Sequence, residues 1–427
     1  MIPFLTRNID VKLFQPLLHR PTALLWSGLA ISAIGDEFFA VAAMWLAVQI
    51  SGSNASWLGA LRGAAALTGA LLGGIWAERW DHRRTMLGAD LARAALSIVP
   101  VLAWSLGLMH LWLLAVPIML MMIMNSLFDP ALRASLPRLV SAPGQLQATN
   151  ALFDSILRVA RVIGPTLAAA VTILVPLEHL FTLNSITFLL SAWAIAKLDK
   201  ALPRLPPRQT SRRAGLTAGW RSLAGRRRMQ VVYICAALGN VAWALGISIG
   251  MALAVVKYDV NGFGVHGIAA YGLLMGAYGV GNLVAILIIG NITIRHLYGG
   301  FSFGSAVNGL GIAIAGTAVM CLPREYVLAG MMLGACIAAL GGPLIDIAFL
   351  LLLQTTFSQP EITGLARLRF AALGASILVA GACGAFLYAH FGTAEVIIGS
   401  GVLEIIVGLL VLLAPKESTA PMTGIAK

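Results

Sequence analysis

The sequence predicts an all-α polytopic membrane protein whose twelve crossings form two groups of six helices. Three observations lead there. Of the 427 residues, 59% are hydrophobic and only 11% charged, too little polar surface to cover a water-soluble chain of this size. Apolar runs of membrane length recur along the chain, and one basic connection divides them at the middle. The first twenty residues, MIPFLTRNIDVKLFQPLLHR, are too polar for the apolar core of a cleaved leader.

A helix needs about 20 apolar residues to cross the hydrocarbon core. Runs of that kind fall at 23–50, 56–77, 86–108, 111–128, 150–174, 178–196, 229–256, 268–290, 300–322, 326–353, 367–390 and 394–414. Loop charge orients them. One side carries Arg7, Lys12 and Arg20, then Arg79, Arg83 and Arg84, then Arg133 and Arg138, the middle connection, Arg295, Arg367 and the C-terminal lysines. The opposite side offers little beyond Lys257 and Arg324. The positive-inside bias therefore places both termini in the cytoplasm and the chain in a bacterial inner membrane.

The expected organisation is a six-helix half over 1–196, a cytoplasmic linker over 197–228 and a second six-helix half over 229–427. Ten of the 29 Lys and Arg lie between Lys197 and Arg228. The first part, DKALPRLPPRQTSRR, is proline-rich. In AGLTAGWRSLAGRRRM, Leu216, Trp220 and Leu223 recur at i, i+4 and i+7, a pattern that predicts an amphipathic helix on the anionic inner leaflet. A weak repeat relates WLGALRGAAALTG (57–69) to YGLLMGAYGVGN (271–282), with Gly59 and Gly63 matching Gly272 and Gly276. Transporters built from repeats show such symmetry, and small residues four apart also let helices approach closely.

Several functions are excluded or disfavoured. The net charge of +12 sits at helix ends rather than in a nucleic-acid patch. Cys235, Cys321, Cys336 and Cys383 are isolated and lack metal-ligand spacing. No phosphate-binding G-x-x-x-x-G-K-[ST] occurs, and no nucleophile–base motif marks an enzyme. No cofactor or metal is expected; a proton gradient is the expected driving force. The expected partners are a small-molecule substrate, H+ and membrane lipids, with the chain a monomer.

The loop GGIWAERWDHRRTML (73–87) resembles the G-x-x-x-D-R-x-x-R-R signature of the major facilitator superfamily: Gly74, Arg79, Arg83 and Arg84 correspond, and Glu78 stands where aspartate is usual. IGDEFFAVAAMWLAVQISGS, LGADLARA, FDPALRASLPRLV, ATNALFDSILRVARVIGP and GVGNLVAIL extend the likeness to its branch of enterobactin-type siderophore exporters and macrolide efflux permeases. The resemblance implies the major facilitator fold, with the loop, including Asp81, gating the cytoplasmic side. The second half keeps only Arg295 and His296 in NITIRHLYGG. RVIGPTLAAA resembles the helix-five motif associated with antiporters, keeping Gly164 and Pro165 but with Ala160, Ala168 and Ala169 in place of glycines.

Charge inside the membrane costs about 2.5–3.5 kcal/mol on insertion scales, so it is rarely idle. Asp36 and Glu37 lie in the middle of the first apolar run, and Asp154, Arg158 and Arg161 share one face of the fifth at i, i+4 and i+7. Asp36 and Arg161 lie at matching depths, roughly 20 Å and 17 Å of helical rise. Neighbours on a helix point about 100° apart, so Asp36 or Glu37, but not both, faces the basic stripe. Asp36 with Arg161 is the expected proton or substrate site, against a permanent structural ion pair. Asp346 near Arg369 is a further candidate. Arg62 is expected to snorkel, the four outer-loop histidines to mark the interface, and Trp45, Trp243, Met121, Met122 and Met124 either to line a cavity or to pack. The expected function is proton-coupled efflux of a siderophore or drug-like amphiphile, with a lipid flippase or a non-transporting receptor or assembly factor as alternatives.

Overall fold

The computed structural model describes residues 12–76, 81–139, 145–198, 216–289, 292 and 294–415. The described residues are almost wholly helical. In order the helices are α1 (Arg20–Ser51), α2 (Ser56–Trp76), α3 (His82–Ser105), α4 (Leu111–Ser135), α5 (Gln145–Leu174), α6 (His179–Ala196) and short α7 (Leu216–Ser222). They continue as α8 (Arg227–Trp243), a π turn (Ala244–Ile249), α9 (Gly250–Lys257), α10 (Gly267–Ile289), α11 (Leu297–Cys321), α12 (Arg324–Thr356), α13 (Gln359–Phe391) and α14 (Thr393–Leu413).

Eleven segments of the described residues are long and apolar enough to span a membrane; the first, Arg20–Gly69, joins α1 and α2 across a tight 3-10 turn. With α8, the π turn and α9 forming one crossing, the count is twelve. The protein is a multi-pass membrane protein. Helix ends follow local chemistry: α1 begins with Pro21, whose missing N–H is no loss there, and Asp81 caps α3 by accepting from the Arg84 backbone N–H at 2.8 Å. Ser358 and Glu361 form a reciprocal capping box on α13. The Ser358 hydroxyl and N–H hold the Glu361 carboxyl below the usual carboxylate range. That cap is complete above ordinary carboxylate titration and is lost as pH falls through the depressed value.

Three apolar cores organise the packing. One runs through the end of the molecule opposite the basic loops and includes Trp45, Leu58, Phe181, Met251, Leu274, Ile312 and Ile397, so it draws on helices from both sides of the central connection. At the basic end the core divides. Leu25, Met86, Phe128 and Ile195 belong to a cluster built only from helices before the connection, and Met229, Phe301, Phe349 and Val411 to one built only from those after it. Among the described residues the buried apolar core is thus shared by the two helix sets at one end and divided between them at the other.

The seams between the sets rest on glycine. Where α2 meets α13, a Cβ on Gly381 would lie 2.0 Å from the Ala60 nitrogen, and one on Gly63 would lie 2.2 Å from the Leu378 nitrogen. Where α5 meets α10, a Cβ on Gly272 would lie 2.4 Å from Ala169 Cβ. Backbone contact at that range excludes any side chain. The glycines of the sequence repeat therefore occupy contact positions, which their spacing alone had left open.

The expected amphipathic helix of the linker is shorter than its pattern. It ends at Ser222, and Gly225, at φ +79, turns the chain into α8. α7 lies against α13, with a Gly219 Cβ position 2.4 Å from the Gly364 carbonyl, while Trp220 is 63% exposed. The following arginines are anchored on protein: Arg226 donates to the Thr356 carbonyl at 2.7 Å and stacks over Phe357 at 4.2 Å, and Arg228 stacks over Tyr298 at 3.5 Å. Aromatic faces and a helix-end carbonyl compete with lipid headgroups for these cations.

Gly381→Ala is expected to overpack the α2–α13 seam at a cost of about 1–3 kcal/mol, read as a lowered unfolding midpoint of the detergent-solubilised protein. Gly88→Ala, where a Cβ would meet nothing within 4 Å, should leave the midpoint unchanged or raise it. Equal effects would mean that close approach at the seam carries no energetic weight.

Candidate functional site

The two adjacent acids of α1 turn to different neighbours. Gly35, just before them, packs on α6, its Cβ position 2.1 Å from Thr187 Oγ1. That orientation sends Asp36 and Glu37 to successive flanks of the helix, and both are half-buried. Asp36 lies in the field of Arg93, with Glu37, Asp90 and Asp129 adding negative potential. Glu37 packs directly over α5: a Cβ on Gly164 would lie 2.5 Å from Glu37 Cβ and 2.8 Å from its Cγ. The cations acting on Glu37 are Arg161 and Arg62. The expected pairing of Asp36 with Arg161 is thus corrected. Arg161 acts on Glu37, and Asp36 has Arg93.

Arg93 is the best-organised cation of the site. It bonds Asp90 one helical turn away on α3, and both are buried, at 5% and 0% exposure. Its guanidinium lies between the rings of Phe128 on α4 and Phe188 on α6, 4.6 Å and 4.5 Å from their centroids. A further N–H donates to Asn125 Oδ1 at 3.3 Å. Beyond it, the Ser97 hydroxyl donates to the Arg93 carbonyl at 2.9 Å and accepts from Asn184 Nδ2 at 3.2 Å. Planar stacking on two rings with hydrogen bonding in the plane suits arginine and not lysine. The motif LGADLARA contained these residues, but i, i+3 acids and bases also decorate solvated helix faces; no sequence signal separated the two cases.

Arg62 was expected to snorkel at the outer interface. It instead turns inward, half-buried, into the field of Glu37, Tyr271, Asp36 and Arg161, because a membrane-embedded cation gains more from a carboxylate within reach than from a distant headgroup. Arg161 itself is exposed along α5. Asp154 and Arg158 lie on α5, but their side chains fall outside the described residues. Asp346 and Arg369 form an ion pair across α12 and α13, with Arg369 also 4.4 Å from the Phe349 centroid. Their exposures, 69% and 36%, make this a pair of small energetic weight.

Among the residues assigned to the loop, Glu78 and Arg79 lie outside the described residues, and Gly74 is in the last turns of α2. Asp81 caps α3. Arg83 donates to the Ile195 and Ala196 carbonyls, at 3.2 and 2.6 Å, and so caps the C-terminus of α6. Asp81 thus acts within α3, and Arg83 ties α3 to α6 within one helix set. Gly164 and Pro165 are buried within a continuous α5 and face Glu37 and α10. Trp45 does not line open space: it is buried and stacks on Tyr271, with centroids 6.2 Å apart. Trp243 donates to the Tyr278 hydroxyl at 2.8 Å. Among the described residues no cluster of three or more His, Cys, Asp or Glu could hold a metal.

Residues 11–348 match the family model described as transmembrane secretion effector, a branch of the major facilitator superfamily. The chain belongs to that family. It is therefore a transporter rather than an enzyme. A stretch of 205 residues is 29% identical to the multidrug efflux pump Tap of Mycobacterium tuberculosis H37Rv and of Mycobacterium bovis BCG. That match covers 47% of this chain and 49% of the relatives, so the chain spans about half the length of the curated relatives it matches. Similar solved structures include a POT family transporter in complex with a thioalcohol-conjugated peptide, at 13% identity and TM-score 0.74 over 92% of this chain and 96% of that one. Another is a bacterial homologue of the iron transporter ferroportin in an inward-facing state, at 15% identity and TM-score 0.69 over 92% and 98%. At such identities they establish the fold, which agrees with the twelve-helix expectation.

Asp90→Ala strands a buried guanidinium and is expected to cost about 3–5 kcal/mol, measured as the change in unfolding free energy in detergent. Asp90→Ala combined with Arg93→Met should recover most of that loss. A double variant no more stable than Asp90→Ala alone would show that the pair does not act as a unit.

Proposed function

We propose that this transporter is a proton-coupled exporter of a drug-like amphiphile or siderophore, resting open to the cytoplasm at its basic end. The observation that carries this reading is the placement of Asp36 and Glu37 half-way along α1, each beside a different guanidinium and neither fully buried. A carboxylate beside an arginine and open to water stays ionised; when a low-dielectric wall closes over it, the acid takes up a proton. Alternating access supplies such a change, because Glu37 and its cations sit on α1, α2 and α5, whereas α10, which brings Tyr271 beside them, belongs to the other helix set. The divided core at the basic end supports the cytoplasm-facing resting state, and the positive-inside bias supports assigning that end to the cytoplasm of an inner membrane.

Rocking of residues 1–196 against 229–427 about the fused end would pass the acids from one side of the membrane to the other. Arg93, locked between two rings, remains with Asp36 throughout. Arg161 and Arg62 move with Glu37, whereas α10 with Tyr271 belongs to the other half, so Glu37 is the acid whose surroundings change. In this reading Glu37 couples the proton and Asp36 tunes the local field. The similarity to a multidrug efflux pump supports outward transport of amphiphiles.

Everted vesicles containing the wild-type protein are expected to transport ethidium under an imposed proton gradient, and to stop when the gradient is collapsed. Glu37→Gln should lower that rate at least 10-fold at equal protein level, with Asp36→Asn lowering it less. Gradient-driven transport left intact by Glu37→Gln would remove Glu37 from coupling. Comparing extracellular metabolites of a deletion strain and its complement, with and without iron, decides between the substrate classes: an iron-dependent loss restored by the complement marks a siderophore.

A further inference from the structure

A second buried carboxyl lies away from the α1 cluster. Glu404 is the twelfth of the 21 residues of α14, near the middle of its crossing, and is 4% exposed. It points into the packing of α14 against α8 and α11. Both of its oxygens rest on the backbone of α8, where a Cβ on Gly239 would lie 2.8 Å from Oε2 and 3.1 Å from Oε1. On the α11 side stands Ser305, where a Cβ on Gly408 of α14 would lie 3.0 Å from the Ser305 Cβ and 2.7 Å from the Ser302 carbonyl oxygen. Glu404 Oε2, Ser305 Oγ and Ser302 Oγ are all buried without a hydrogen-bond partner among the described residues.

What surrounds Glu404 is uncharged. Cys235 on α8 and Tyr278 on α10 lie within its field, and Ser305 beside it is neutral. The π turn contributes no ionisable side chain. Tyr388 on α13 gives its hydroxyl to the Leu245 carbonyl, and Lys257 closes α9 at the far end of that crossing. No arginine, lysine or histidine among the described residues acts on the carboxyl. An ionised carboxylate in such surroundings carries a desolvation cost that only the neighbouring Ser305 hydroxyl opposes, so the neutral acid is the stable form.

We propose that Glu404 is a proton-binding site of the helices after the central connection, loaded in this conformation and sealed by α8 at Gly239. α8 is the movable wall. It passes into the π turn only five residues beyond Gly239, and π turns are weak points in helices that recur at functional sites. A shift of α8 at that turn would open the carboxyl to water and let the proton leave. This extends the proton-coupled reading above, but its test uses no transport measurement, so each can fail without the other.

The test is an infrared pH titration of the purified full chain, comparing wild type with E404Q. The expected result is a protonated-carboxyl C=O absorption in the wild type at neutral pH that is absent from E404Q. Thermal unfolding gives an independent readout. A proton held when folded and released on unfolding makes the folded state less stable as pH rises. Wild type and E404Q should therefore unfold together at low pH, with the wild type falling behind above neutrality. An unchanged absorption, or identical pH profiles, would overturn the proposal. So would a wild-type midpoint raised by Na+ but not K+, which would place a metal cation on the carboxyl. Should E404Q fail to accumulate, E404D serves: the band shifts if Glu404 is its source and stays if it is not.

Discussion

Arg93 stacked between Phe128 and Phe188 is the fixed point on which the helices before the connection are organised. The guanidinium bonds Asp90 and Asn125 and sets the potential at Asp36, so one side chain joins α1, α3, α4 and α6. A cation held this way in a low-dielectric interior is costly to free, because two ring faces and two side-chain hydrogen bonds stand in place of water. That rigidity gives Asp36 a constant neighbour. Glu37 lies instead beside the α5–α10 seam, where backbones approach through glycine.

The two kinds of contact divide the labour within the molecule. Charge buried against aromatic rings and helix-end carbonyls, as with Arg93, Arg83, Arg226 and Arg228, binds helices of one set to each other. Glycine contacts, as at Gly63, Gly381 and Gly272, bring opposite sets together over a smooth surface. The first is directional and sacrifices a cation–ring or hydrogen-bond contact on any shift; the second loses only dispersion contacts when helices slide. A core fused at one end and split at the other follows from that arrangement.

Much of the fold was legible in the chain. The apolar runs placed twelve crossings, with most ends within five residues of those observed and the end of α4 and start of α13 seven and eight residues beyond the expected bounds, since hydrocarbon thickness fixes the apolar length independently of neighbours. Glycine spacing marked the close seams without saying which helices met. The candidate site was legible by type and only partly by partner. Depth along the helices put Arg161 and the acids of α1 at one level, but depth has no azimuth, and azimuth decides between Asp36 and Glu37. Arg93 passed unnoticed because an i, i+3 acid–base pair reads the same on a wet surface as in a core. Nothing local to Glu404 assigns it a role, because its surroundings come from α8 and α11, more than 90 residues away in sequence.

The sequence by itself determined a helical membrane protein, its number of crossings, the basic face and the presence of acids where lipid would otherwise lie. Hydropathy, helical period and loop charge are local quantities, and those properties depend on nothing else. Only the tertiary structure decided which acid meets which base, that Arg62 turns inward, that the linker helix docks on α13, and that Glu404 has no counter-charge among the described residues. Each of these depends on how helices rotate about their own axes against distant neighbours. That rotation is fixed by the sum of many small packing contacts across the chain, and no short stretch of residues carries it.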